Sequence, residues 1–232
     1  MPSLVVHSLI TSERESIMAT HDALLETTLT VPEALMAFLH NKDGQLYQSA
    51  GPKQLTVAAE LAELVLDERI DIDEDGTIRA RENPEPAARA WITDVTKTLA
   101  EKPVKTDAWI RGRRDAVAVQ QQEAAKRGVL QVDRAKLAGV IGYTRHLANE
   151  TTRARLLAEL DSDAALESPR ARAVAKLLTT RGLLRVLRLD TEPAQRLAEL
   201  ARTSEGTPLP GPLFSTMDYA IATGVGLVIL GD

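Results

Sequence analysis

Lys105–Asn149 reads KTDAWIRGRRDAVAVQQQEAAKRGVLQVDRAKLAGVIGYTRHLAN. The two elements it spells, a polar helix and a hairpin, decide what the rest of the chain has to be. Thr106 is a good N-cap, Asp107 places a negative charge at the positive end of the helix dipole, and Gly128 follows Lys126 and Arg127 as a helix stop. One helix is therefore expected over Asp107–Arg127. At roughly 100° per residue, Arg111 and Arg114 share a face, while Arg113 falls on the stripe of Ile110 and Val117 that would otherwise be buried. That stripe continues into Gln120 and Gln121, so the helix has little apolar surface to bury. Beyond Gly128, Val129–Val132, a polar corner at Asp133–Lys136 and Leu137–Tyr143 read as a β-hairpin of two short strands, with Gly139 and Gly142 weakening or bending the second.

The composition requires a helical scaffold around this piece. In 232 residues, 44% are hydrophobic but only 3% aromatic, so one sizeable core has to be built from aliphatic side chains. The absence of cysteine removes disulfides, thiolate nucleophiles and thiolate-ligated metals, in keeping with a reducing cytoplasm. The amino terminus lacks the pattern of a secretory signal. The most apolar run, Tyr219–Leu230, is interrupted by Gly224 and Gly226 and falls short of the ~20 residues that span a bilayer. A cytoplasmic location, or a peripheral one at the cytoplasmic face of the membrane, is expected. Net charge is −5, yet Glu101–Glu150 holds ten Lys/Arg against six Asp/Glu. A basic middle in an acidic chain suits a local anionic ligand or membrane surface; nucleic acid usually meets an overall basic face.

Along the chain, Thr30-Val-Pro-Glu33 spells a capping box with proline in the first turn, so a helix is expected over Val31–His40. Gln54–Leu66 repeats apolar residues at helical spacing (Leu55, Ala58, Ala62, Val65, Leu66) and reads as a core helix. Arg69–Arg81 alternates isoleucines around Glu74-Asp-Gly-Thr77, the chemistry of a tight hairpin. The same residues match a calcium loop, with Asp71, Asp73, Asp75, Gly76 and Glu82 at the ligand and turn positions. Pro84 and Pro86 oppose the helical exit that such a loop needs. Further helices are expected over Ala87–Ala100, Thr151–Leu160, Pro169–Arg181 and from Thr191 to Arg202, with Lys102–Lys105 as a linker, a loop over Gly206–Pro212 and a buried helix from Ser215. The fold class is mainly α: a single-domain helical bundle with two short peripheral β-hairpins.

Catalytic patterns are missing. His7, His21, His40 and His146 are scattered without metal-ligand spacing, and there is neither a Walker-type glycine loop nor GxSxG. Acid pairs such as Glu60/Glu63 and Asp161/Asp163 read as solvated helix faces or ends. A binding or structural protein without cofactor or metal is expected, not an enzyme. Arg111 and Arg114, with Arg113 between them, are the candidate ligand-binding residues, because guanidinium groups on one face can grip a phosphate. The alternative is that they pair with Asp107, Asp115 or the acidic scaffold.

The succession VPEALMAFLHNKDGQ, LAELVLDERIDID, the KRGVL step into a hairpin ending GYTRHLAN, and RARAVAKLLTTRGLL resembles the Golgi phosphoprotein 3-like family in its actinobacterial form. The resemblance covers roughly Thr30–Leu187. It implies residues 26–232 as one helical domain after a weakly patterned segment at 1–25, phosphatidylinositol 4-phosphate as the ligand of the eukaryotic members, and a hairpin used for self-association and membrane contact. Carried over residue by residue, Arg114 matches one headgroup arginine. A second falls at Val117, a third at Val57, and the family's tryptophan falls near Tyr47 or Gln48, so Tyr47 joins the candidate ligand-binding set. Leu137, Val140, Ile141 and Tyr143 are the candidate membrane or oligomer residues of the hairpin. The partners expected are an anionic lipid headgroup or phosphate ligand and a second copy of the chain, without nucleic acid. The alternative is a protein-interaction or adaptor module that homo-oligomerises through its hairpin.

Overall fold

The computed structural model describes residues 23–82, 85–137, 141–180 and 183–202. The expectations for the amino terminus, the loop at 206–212, the helix from Ser215, and Gly139, Val140 and Gly182 lie outside them. In chain order the helices are α1 (Leu24–Thr27), α2 (Val31–Leu39), α3 (Pro52–Leu66), α4 (Ala90–Glu101), α5 (Thr106–Gly112), α6 (Ala116–Lys126), α7 (Glu150–Leu160), α8 (Pro169–Thr179), α9 (Leu183–Leu187) and α10 (Thr191–Arg202). The strands are β1 (Ile70–Ile72), β2 (Thr77–Ala80), β3 (Val104–Lys105), β4 (Leu130–Leu137) and β5 (Ile141–Ala148). The fold is mainly α with two small antiparallel sheets, as the sequence indicates.

The core is built on α2 and α3, which pack on each other and on α6 and α8. Every residue of α2 is buried. Its start is fixed locally: the Glu33 carboxylate turns back to accept from the Thr30 N–H at 3.0 Å. Helix α3 is buried almost all round, a wider surface than the stripe seen in the sequence. Glu60 and Glu63 lie within it and are not solvated, contrary to the expectation for that pair; their side chains are 0% and 2% exposed. Each faces an arginine from a distant segment, Glu60 with Arg113 and Glu63 with Arg170. Glu33 does the same with Arg89. The spacing that reads as a solvated face is instead a set of buried ion pairs.

The hairpin at Arg69–Arg81 forms with Ile70 opposite Ala80 and Ile72 opposite Ile78. The expected linker contributes a third strand, because Val104 pairs with Ile78 and Lys105 with Thr77. The three aspartates of the calcium-loop spelling each meet a basic side chain: Asp71 with Arg81, Asp73 with Arg79 and Asp75 with Lys105. Hydrogen bonds from Lys105 and Thr77 hold the Asp75 carboxyl well below the usual carboxylate range. Among the described residues no group of three or more His, Asp or Glu is arranged to hold a metal ion. Helix α4 begins at Ala90 and not at Ala87, since Arg89 is held extended while its side chain reaches Glu33 and the Thr28 carbonyl.

The single helix expected over Asp107–Arg127 is two, broken at Arg113–Asp115. A helix carried through Gly112 would cost about 1 kcal/mol for the glycine, whereas a buried charge left unpaired costs about 3–5 kcal/mol. The Arg113–Glu60 pair therefore sets the geometry. The hairpin corner expected at Asp133–Lys136 is continuous strand, because Asp133 sits opposite Arg145 and their side chains meet at 2.6 Å. The strands run on to the Leu137–Ile141 pair.

Strand β5 rests against the turn after α2, where a Cβ on Gly44 would stand 3.1 Å from the His146 carbonyl oxygen. Fully buried His40 donates from Nδ1 to the Met36 carbonyl at 3.0 Å, and its Nε2 accepts from the Gln121 amide at 3.0 Å, the tautomer that satisfies both partners. The His146 ring lies 6.4 Å away. Burial lowers the pKa of both histidines, and for His40 the neighbouring His146 lowers it further. The unfolded chain thus takes up protons that the fold resists. Stability is complete above the ordinary histidine value of 6.5 and is lost as pH falls from there towards the lowered folded values. We expect a lower urea midpoint at about pH 5 than at about pH 7.5, with a smaller difference in His40→Gln. Equal midpoints in the wild type would contradict the placement of these rings.

Candidate functional site

The sequence-derived arginines meet at the break between α5 and α6, and they are not equivalent. Arg113 turns into the bundle: Nε and Nη2 donate to the Glu60 carboxylate at 3.1 and 3.4 Å, and Nη1 donates to Asp115 at 2.6 Å. Burial works against its charge, but Glu60 and Asp115 outweigh it and the guanidinium stays protonated beyond its ordinary range. Glu60 also accepts from the Gln120 amide at 2.8 Å, and burial nevertheless pushes its carboxyl up. Arg111 is exposed but donates to Asp107 one turn earlier, at 2.6 Å. Arg114 is exposed and has no ion-pair or hydrogen-bond partner among the described residues. Because the helix is broken, Arg111 and Arg114 do not share the continuous face that the sequence predicts.

The amino-terminal end of α3 adjoins this break. Lys53 Nζ donates to the Arg111 carbonyl at 3.0 Å, a lysine satisfying the last turn of α5. Gly51 precedes α3 in a left-handed conformation with φ of 66°, and α3 starts with Pro52, without a side-chain cap and without an acidic residue in its first turn. The backbone N–H groups of half-buried Lys53 and Gln54 thus bear the positive end of a 15-residue helix. Tyr47, three residues before the 3-10 turn ends at Ala50, packs partly buried against the core. Lysine 53 escaped the sequence reading, although the start GPKQ, lacking a capping side chain, was the available signal. Val57, where the resemblance leads one to expect an arginine, is fully buried.

The hairpin residues are placed less completely. Leu137 pairs with Ile141 and Ala135 with Tyr143 across β4 and β5, while Val140 lies outside the described residues. Tyr143 is 43% exposed, with the Arg145 guanidinium 5.8 Å from its ring centre, and Val132 is 51% exposed.

The family model for Golgi phosphoprotein 3 (GPP34) matches residues 31–219. The chain belongs to the Golgi phosphoprotein 3 family. No curated protein sequence matches it. Within this Golgi phosphoprotein 3 family member, no helix among the described residues is long and apolar enough to cross a membrane. A cleft of about 710 Å³ also opens at the far end of α3, between Thr30, Leu66 and Pro86. Its arginines are already matched, Arg69 with Asp67, Arg81 with Asp71, Arg89 with Glu33 and Arg170 with Glu63, so it offers less to an anion than the α5–α6 break does.

Proposed function

We propose that this Golgi phosphoprotein 3 family member binds an anionic, phosphate-bearing ligand of the lipid-headgroup type at a membrane surface, through Arg114 with Arg111 and Lys53 beside it. The observation that carries the reading is the exposed guanidinium of Arg114, unpaired among the described residues, in the break that Lys53 ties to the uncapped start of α3. A phosphate there would accept from Arg114 and from the first-turn amides of α3, two kinds of donor that anion sites combine. Tyr47 borders the same helix start. The resemblance to lipid-binding family members supports the reading at one position, Arg114; Val57 and Val117 replace the other two arginines. At ~1 kcal/mol per basic residue near an anionic surface, a few charges alone hold a monomer only at millimolar strength. Tyr143, with Leu137, Val140 and Ile141 as the apolar residues of the same stretch of sequence, would supply insertion or self-association.

The test is co-sedimentation with phosphatidylcholine vesicles, with and without phosphatidylinositol 4-phosphate, repeated in the presence of excess inorganic phosphate. We expect recovery only with the phosphoinositide, and a loss of roughly 25-fold in affinity for Arg114→Glu, since charge reversal removes ~2 kcal/mol. Competition by inorganic phosphate identifies a free phosphate as a sufficient ligand; its failure to compete assigns the lipid headgroup. Equal recovery from both vesicles, unchanged in Arg114→Glu, would overturn the reading in favour of an adaptor that associates through its exposed hairpin.

A further inference from the structure

We propose that Glu60 is a positioning residue for the anion site: by drawing Arg113 into the bundle it ends α5 and leaves Arg114 facing outward. The proposal rests on Arg114 being the anion contact.

The residue at which the helix stops is the residue that the buried carboxylate holds. Arg113 still donates its backbone N–H to the Trp109 carbonyl at 2.9 Å, closing the last turn of α5, but its ψ of 91° leaves the helical region. Asp115 accepts the first helical bond of α6, from Val119 N–H at 3.0 Å, while its side chain is engaged by Arg113 and does not cap the new helix. Gln120, one helical repeat further on and fully buried, ties α6 to the same Glu60 carboxylate. One carboxylate on α3 thus holds both sides of the break, and Lys53 in the first turn of the same helix donates to the Arg111 carbonyl at the end of α5. Nothing in 106–126 forces an interruption from the sequence alone, since the segment contains no proline. Without the anchor, Arg113 loses its reason to point inward, and the relation between Arg114 and the α3 start is no longer fixed.

The experiment compares wild type, Arg114→Gln, Glu60→Gln, Arg113→Gln and the double variant Glu60→Gln/Arg113→Gln on phosphatidylcholine vesicles containing phosphatidylinositol 4-phosphate. Removing an acid strengthens attraction to an anionic surface if net charge alone matters. Positioning predicts the opposite sign: Glu60→Gln weakens binding about fivefold, as Arg114→Gln does. The double variant leaves the net charge unchanged and no buried charge unpaired, so it carries the test even if Glu60→Gln fails to fold. It should bind no more weakly than either single variant, because the two residues act through one contact. Cα chemical shifts at Arg113–Asp115 should move towards helical values in the variants at Glu60. Wild-type binding by folded Glu60→Gln or by the double variant, with Arg114→Gln impaired, overturns the positioning role. Wild-type binding by Arg114→Gln removes instead the anion reading on which it rests.

Discussion

Glu33→Ala destabilises the protein by about 3–5 kcal/mol, the cost of leaving a buried charge without its partner. The Glu33 side chain is fully buried and Arg89 is 11% exposed. The carboxylate accepts from Arg89 Nε at 2.6 Å and Nη2 at 3.2 Å, and from the Thr30 N–H at 3.0 Å. Truncation therefore strands a guanidinium and an N–H at the start of the helix on which the core is built. At this chain length the loss corresponds to a fall in melting temperature of roughly 10 °C. Thermal unfolding followed by circular dichroism measures it. Glu33→Leu/Arg89→Leu, which removes both charges, should recover most of the loss, since a buried pair replaced by apolar side chains is often close to neutral. A change within about 0.5 kcal/mol for Glu33→Ala would show that the pair is solvated in solution.

Phe38→Ala is the second large effect, expected at about 3–5 kcal/mol. With aromatic residues at 3% of the chain, Phe38 is the bulkiest of the fully buried side chains among the described residues, and it sits in a helix buried at every position. Its neighbours cannot close the resulting space cheaply, because the helices around it are themselves fixed by the Glu60, Glu63 and Glu33 ion pairs. The Arg153 guanidinium, 6.0 Å from the ring centre, also loses its aromatic partner. Phe38→Leu, which retains most of the volume, should cost less than half as much; urea unfolding of the two variants distinguishes a packed core from a loosely filled one. Equal losses for leucine and alanine would contradict close packing at this position.

The parts of the fold that the sequence reveals are those set by near neighbours. The capping box at Thr30–Glu33, the helical period of α3 and the turn residues of the first hairpin each act within a few positions, and each has the predicted structure. What it conceals depends on partners far along the chain. Arg113 breaks its helix because of a carboxylate 53 positions earlier, and Glu63 is buried because Arg170 comes 107 positions later. A Glu60/Glu63 spacing looks the same on a solvated face as on one lined with arginines. Val104 and Lys105 are too short a run to announce a strand, and become one only because β2 has an open edge beside them. Of the candidate site, the basic segment and Arg114 were legible. That Arg113 faces inward, and that Lys53 and the α3 start lie beside the segment, is a consequence of topology.

The central claim is that the α5–α6 break and the α3 start form one anion site. A proton–nitrogen correlation spectrum of the full chain, titrated with a soluble inositol phosphate headgroup, tests it most directly. Backbone amides of Lys53, Gln54 and Arg114 should shift together along one saturable curve. Shifts that leave these three amides unmoved, or that appear only around Arg69 and Arg89 in the cleft at the other end of α3, would contradict it.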